Sequence, residues 1–396
     1  MDTLDKKILA TLFFSVFATV TGVGIVVPLL PVYAHDLGAD GIYIALIFGS
    51  FSISRIIFLP YFGRLSDKRG RKPFIICGLI AYAFISIAFI FSKNVTSLIV
   101  IRFFHGIASA MLIPVIQAYA ADITPRGREG LTMGLHNMSM LFGLSLGPLM
   151  GGFIKDQFNL QASFCCMGIL AVVGFIWCLF LLPPIASEKR VRLIKDNPAG
   201  RWLMLDRSMI ALLVFRFAYV FCIGIIWGFV PIYANLNFSL SSTSIGILIM
   251  MGILISGAMN IPMGVLADRM NRKMMVMAGG LIVGYAILSF GWADSFSEMV
   301  IASAIFGIGG GICMPALMAM AAWKGSQNGA MGSVMAYMTM AHSVGMLSGA
   351  LLGGFMMDRF RLQLAFPVSA LVMTLSIGLF LVGTIESKPG LYRDNA

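Results

Sequence analysis

Twelve apolar runs, each long enough to cross a lipid bilayer as a helix, follow one another along this chain of 396 residues. A hydrocarbon core of ~30 Å takes ~20 helical residues per crossing. The runs fall near 8–33, 42–62, 74–92, 96–121, 131–154, 163–184, 209–233, 243–263, 274–292, 297–322, 331–356 and 363–384. They are apolar on every side. A β-barrel, which needs apolar and polar residues in alternation, is therefore excluded, and helices that satisfy their own backbone groups are expected. Composition agrees, with 59% hydrophobic and only 11% charged residues, where soluble domains carry about 25% charged. A soluble enzyme, a nucleic-acid binder and a disordered scaffold are excluded as classes. The expected fold class is an all-α polytopic membrane protein.

The chain also repeats itself. Pro31-Val32-Tyr33-Ala34 returns as Pro231-Ile232-Tyr233-Ala234, and Gly63-Arg64-Leu65-Ser66-Asp67 as Gly264-Val265-Leu266-Ala267-Asp268. Arg71-Lys72 returns as Arg272-Lys273, Gly106 with Pro114 as Gly307 with Pro315, and Gly143, Gly147, Gly151 and Gly152 as Gly345, Gly349, Gly353 and Gly354. An offset that drifts only from 200 to 202 points to a duplicated unit of six spans, both copies in one orientation. Residues 1–184 and 209–396 are expected to form two six-helix bundles, joined by the polar linker 185–208.

Lysine and arginine accumulate on the cytoplasmic side of membrane proteins. With both termini inside, 21 of the 28 basic residues fall on that side, four (Lys93, Lys155, Arg359, Arg361) on the other, and three (Arg55, Arg102, Arg216) within spans. This accounts for the net charge of +11 without a nucleic-acid partner. Met1 to Lys7 leads into a run too long for a signal-peptide core, so it is expected to enter the first span. The six cysteines lie within apolar runs without metal-ligand spacing, so neither a disulfide, a metal nor another cofactor is expected.

The loop after the second run reads Gly63-Arg64-Leu65-Ser66-Asp67-Lys68-Arg69-Gly70-Arg71-Lys72-Pro73, a tight turn with five cations and one carboxylate. Setting orientation would explain the cations alone, but not the half-copy at Gly264, Asp268 and Arg272. The stretch resembles the loop signature of the major facilitator superfamily. The resemblance implies the major facilitator fold, with twelve transmembrane helices in two six-helix bundles around a central cavity to which access alternates. It also implies a conformational latch in which Asp67 and Arg71, flanked by Gly63, Gly70 and Lys72, cluster with Asp122 at the end of span 4, hold the two halves together on the cytoplasmic side, and part when the transporter switches.

Span 5 carries Gly134, Gly143, Gly147-Pro148 and Gly151-Gly152. Small residues let helices approach closely and a proline removes a backbone donor, so ordinary packing could explain any two of these glycines. The whole pattern resembles the antiporter motif of twelve-span drug–proton antiporters.

Embedded cations are functional candidates by default. Arg102 and His105 share a helix face in span 4, in a stretch that resembles the family motif whose arginine assists proton transfer; an arginine reaching the headgroups is the alternative. Arg216 and Arg55 are open between a pathway role and pairing with backbone carbonyls. Tyr219 and Trp227, near Arg216, are candidates for a cavity wall or for packing, and His136, Asn137 and His342 are weaker candidates. All seventeen carboxylates lie in loops, tails or span ends. The first span therefore lacks the acid that many proton-coupled exporters carry.

The resemblance implies a secondary active transporter, expected to be a proton-coupled efflux antiporter of small amphiphilic drugs or drug-like metabolites. The alternative is a carrier of an organic anion or lysophospholipid that uses the intramembrane arginines as counter-ions. Expected partners are the substrate, protons and the lipid bilayer of a bacterial inner membrane, and a monomer suffices to enclose the path. An enzyme is not expected, because no nucleophile–base set or metal spacing is present.

Overall fold

The computed structural model describes residues 3–124, 129–183, 206–327 and 331–385. Most of the 185–208 linker and both chain ends lie outside these residues. Among the described residues the chain forms twelve long helices: α1 (Thr3–Asp36), α2 (Gly41–Arg69), α3 (Arg71–Phe91), α4 (Val95–Ile123), α5 (Glu129–Gln157), α6 (Leu160–Leu181), α7 (Arg207–Phe238), α8 (Ser242–Arg269), α9 (Arg272–Ser289), α10 (Phe296–Gln327), α11 (Met331–Arg359) and α12 (Ala365–Thr384). Each contains a window apolar enough to span a membrane. The protein is a multi-pass membrane protein.

Local chemistry sets the helix ends. Gly70 stands between α2 and α3 with φ of +96°, a conformation that favours residues without a Cβ, and its amide donates to Ser66 O. Asn159, Asp206, Ser241 and Asn271 turn their side chains onto free amides at the starts of α6, α7, α8 and α9. Because lipid is as apolar as leucine, burying apolar side chains adds little here, and close packing has to hold the helices together.

Packing divides into two apolar cores, one built mainly by α1–α6 and the other by α7–α12. Val27 and Val32 of α1 reach into the second core, while Phe229 and Ile232 of α7 and Ala350 of α11 reach into the first. Large apolar side chains such as Phe84, Phe91 and Phe180 remain outside, where lipid would meet them. The glycines of α5 lie against α1: a Cβ on Gly147 would meet Thr21 O at 2.6 Å, and one on Gly143 would meet Phe17 O at 2.7 Å. Gly345 and Gly349 of α11 lie in the same way against Phe217 and Phe221 of α7.

The α1–α2, α5–α6, α7–α8 and α11–α12 connections share one face, here the second face; α1 begins and α12 ends at the opposite, first face. At the second face the two lobes cap each other. Asp156, at the end of α5, accepts from Ser242 N (3.1 Å), Thr243 N (2.7 Å) and Thr243 Oγ1 (2.6 Å) at the start of α8. Asp358, at the end of α11, accepts from Gly41 N (2.5 Å) and Ile42 N (2.9 Å) at the start of α2. A carboxylate on a helix N-terminus satisfies donors the helix cannot and sits at the positive end of its dipole. Gly152 lies on Ser242 and Gly354 on Gly41, so no side chain holds the lobes apart there. Near the first face, Gly63 of α2 and Gly264 of α8 have open space where a Cβ would point.

Candidate functional site

The spacing of α2 sets one wall. Ile47, Phe48, Phe51 and Arg55 recur at helical intervals and so share a face, which meets α4. Arg102 of α4 is 3% exposed. Its guanidinium lies 4.3 Å from the centre of the Phe51 ring and 5.4 Å from that of Phe48, and its Nε donates to Ile47 O at 3.4 Å. An arginine reaching the headgroups is excluded by this burial. One turn on, Arg102 Nη1 meets His105 Nδ1 at 3.2 Å. Arginine only donates, so Nδ1 is the acceptor and the ring is neutral with its proton on Nε2. Phe51, Tyr82 and Phe89 set their rings edge-on around His105.

The other lobe builds a second arginine–histidine pair by a different route. Arg216 of α7 donates through Nη2 to His342 Nδ1 of α11 at 3.1 Å, and through Nη1 to Met314 Sδ of α10 at 2.7 Å. Between the lobes lies a cavity of about 320 Å³. Arg55, Arg102, Arg216 and His342 line it, with Phe48, Phe51 and Trp227 and the thioethers of Met140, Met318, Met338 and Met346. Tyr219 stands apart: it stacks on Phe306 and lies against Gly310. Among the described residues no carboxylate lines the cavity. Arg55 lies over Phe51 at 5.6 Å. The Nε atoms of Arg55 and Arg216 are buried without a partner. A hollow between α3 and α4 is lined only by apolar side chains and offers nothing to orient a ligand.

The charged cluster of the first lobe lies at its first-face end. Arg71 pairs with Asp67 at 3.1 Å and with Asp122, tying α2, α3 and α4 within one lobe, whereas the expected latch would join the two halves. Lys72 is not part of it and donates to Leu179 O at 2.9 Å. In the second lobe Arg272 pairs with Asp268 at 3.2 Å and caps Ala267 O at 2.9 Å. Where the repeat would place a third member, the counterpart of Asp122 is Trp323, and the next residue, Lys324, pairs with Asp206 at 2.6 Å. Partial burial pushes the Asp206 carboxyl up, but hydrogen bonds from Lys324, Ser208 and the Met209 amide outweigh it and bring it down to about 2.

Pro148, Gly147, Gly151 and Gly152 all lie along α5, with Gly134 near its start. Gly151 lies against Ile25 of α1, and the Pro148 carbonyl faces Gly246 of α8 in the other lobe. Sequence reasoning held His342 only as a weaker candidate and singled out none of the individual methionines of the wall. His342 is 126 residues from Arg216, and no local pattern joins them.

The profile of the Major Facilitator Superfamily matches residues 12–220 and 212–395, nearly the whole chain. The chain belongs to the major facilitator superfamily. Among its relatives in the superfamily, an uncharacterized MFS-type transporter of Methanocaldococcus jannaschii is 26% identical over 98% of this chain and 100% of its own length. Multidrug resistance protein 2 of Bacillus subtilis is 25% identical over 96% and 95%. Quinolone resistance protein NorA of Staphylococcus aureus is 32% identical over a shorter stretch, 45% of this chain and 46% of NorA. The nucleoside transporter NupG superposes with a TM-score of 0.79 at 13% identity, covering 96% of this chain and 99% of NupG. The human organic anion transporter MFSD10 superposes with a TM-score of 0.69 at 17% identity, covering 96% and 100%. At these identities the two structures attest the fold, and the expectation of twelve spans in the major facilitator fold holds.

Proposed function

We propose that this superfamily member exports small amphiphiles by alternating access, driven by proton antiport. Its lobes, 1–184 and 209–396, rock about the cavity, with both termini in the cytoplasm of a bacterial cell. The observation that carries the reading is a cavity shared by both lobes and walled by Trp227 and four methionines. Unbranched thioethers re-pack around ligands of different shape, and two relatives carry drug-resistance names. The reciprocal caps of Asp156 and Asp358 describe a molecule closed at its second face, one of the two states that alternating access requires. In this reading Arg71 with Asp67 and Asp122 braces the first lobe while it moves. Arg102 with His105 relays protons or contacts substrate, and the glycines with Pro148 on α5 let that helix slide against α1 and α8.

A gradient does work only if binding of proton and substrate are linked. In proteoliposomes, an imposed pH gradient is expected to drive accumulation of a fluorescent quinolone, and an ionophore that collapses the gradient is expected to stop it. Equal movement with and without the gradient would overturn the coupling.

A further inference from the structure

Arginine keeps its proton in proteins, so Arg55, Arg102 and Arg216 place three fixed positive charges around one cavity within the membrane. Taking a charge out of water is expensive unless a counter-charge or a full set of hydrogen bonds replaces the water. The protein supplies only part of that. Phe48 and Phe51 face two of the guanidiniums, Ile47 O takes one hydrogen bond, and neutral His105 and His342 and the Met314 thioether take three more. No carboxylate lines the site among the described residues, and two buried guanidinium Nε–H groups, on Arg55 and Arg216, have no acceptor. These two arginines come from different lobes, and both line the cavity together with His342.

We infer that the missing counter-charge is the substrate's own: the cavity takes a compact organic anion, with its acidic oxygens on Arg55 and Arg216 and its apolar body against Trp227 and the methionines. Guanidinium is built to bind carboxylate, sulfonate or phosphate oxygens in pairs. The cavity volume of about 320 Å³ lies at the lower end of the range for small-molecule sites and suits one or two fused rings rather than a long acyl chain. An anion held by one arginine from each lobe also gives the substrate a direct hold on the distance between the lobes. The inference rests on the transport reading above for its purpose, but binding can be measured without transport.

The test uses three probes with one body: 2-naphthalenesulfonate, the neutral 2-naphthalenesulfonamide, and a 2-naphthylmethyl trimethylammonium salt. Each is titrated into the full-length protein in lipid nanodiscs, with quenching of tryptophan fluorescence as the readout and Trp227→Phe as the control for position. The sulfonate is expected to bind at least about tenfold more tightly than the cation, the scale of one charge-assisted hydrogen bond. Arg55→Met and Arg216→Met, one in each lobe, should each weaken the sulfonate about tenfold and the sulfonamide far less, and retained sulfonamide binding also shows that the variant is folded. Cation binding as tight as the sulfonate's overturns the inference, whatever the variants do. So does sulfonate affinity that survives both substitutions, or a lysophosphatidylglycerol that outcompetes the compact anion. Movement of the quinolone on a pH gradient, with the cation preferred, would sink the anion site and leave the transport reading standing. Tight sulfonate binding with no movement on any gradient would do the reverse.

Discussion

The two lobes are copies in their packing and strangers in the charges they bring to the cavity. Asp156 and Asp358, at repeat-related positions, cap the start of a helix in the opposite lobe in the same manner. Gly147 and Gly349 bring α5 onto α1 and α11 onto α7 alike. The charges that line the cavity follow no such rule. The first lobe holds Arg102 and His105 on one helix, whereas the second assembles Arg216, His342 and Met314 from three. Where Asp122 closes a three-membered cluster in the first lobe, the second has the uncharged Trp323, and Lys324 beside it turns to Asp206. Packing must match wherever two lobes move against each other, because each clash or gap would bias one state. Charges lining an asymmetric ligand are under no such constraint.

The reciprocal caps allow the sharpest test of that likeness. Asp156→Asn or Asp358→Asn removes a charged acceptor that serves two amides. Each should shift the closed-to-open balance of the second face by about tenfold, and the pair by about a hundredfold. Distances between spin labels placed across that face measure the shift. A large effect from one substitution and none from the other would break the comparison.

A smaller effect is expected where the lobes differ. Arg71 is 11% exposed and Arg272 29% in their side chains. Asp122→Asn should therefore lower thermal stability by about 1 kcal/mol, and Asp268→Asn by a few tenths at most. Equal losses would show that the third member of the first cluster contributes no more than the exposed pair of the second.

The smallest effect belongs to Asp206. Its folded carboxyl titrates at about 2, below the unfolded value of about 3.9. Its contribution is therefore present above about pH 4 and lost as pH falls through the folded value. As a half-exposed pair it is worth at most about 1 kcal/mol. Stability of wild type and Asp206→Asn should differ at pH 7 and converge toward pH 2. A difference that grows on acidification would show that Lys324 is not the partner that matters.

Much of the architecture was readable before any coordinates. Twelve apolar runs, the offset of about two hundred residues and the turn at Gly70 need only local rules, because in lipid a helix has to close its own hydrogen bonds. The glycines of α5 were also legible as close-packing positions, though not the helices they touch. Arg102 and His105 could be placed together because one helical turn joins them. Tyr219 and Trp227 could not be told apart, since both lie on α7 and only packing sends one to Phe306 and the other to the cavity. The cross-lobe caps gave no sign in the sequence: an acid at a helix end reads the same whether water or another helix meets it.

The order of residues alone determined the number of spans, their duplication and the positions of the embedded cations, since these depend on length, periodicity and the cost of charge in hydrocarbon. Tertiary structure decided which cations share a cavity, which atoms are left without partners, and which face is sealed. Those are distances between residues up to 317 positions apart, and no local preference encodes a distance that only the packing of twelve helices creates.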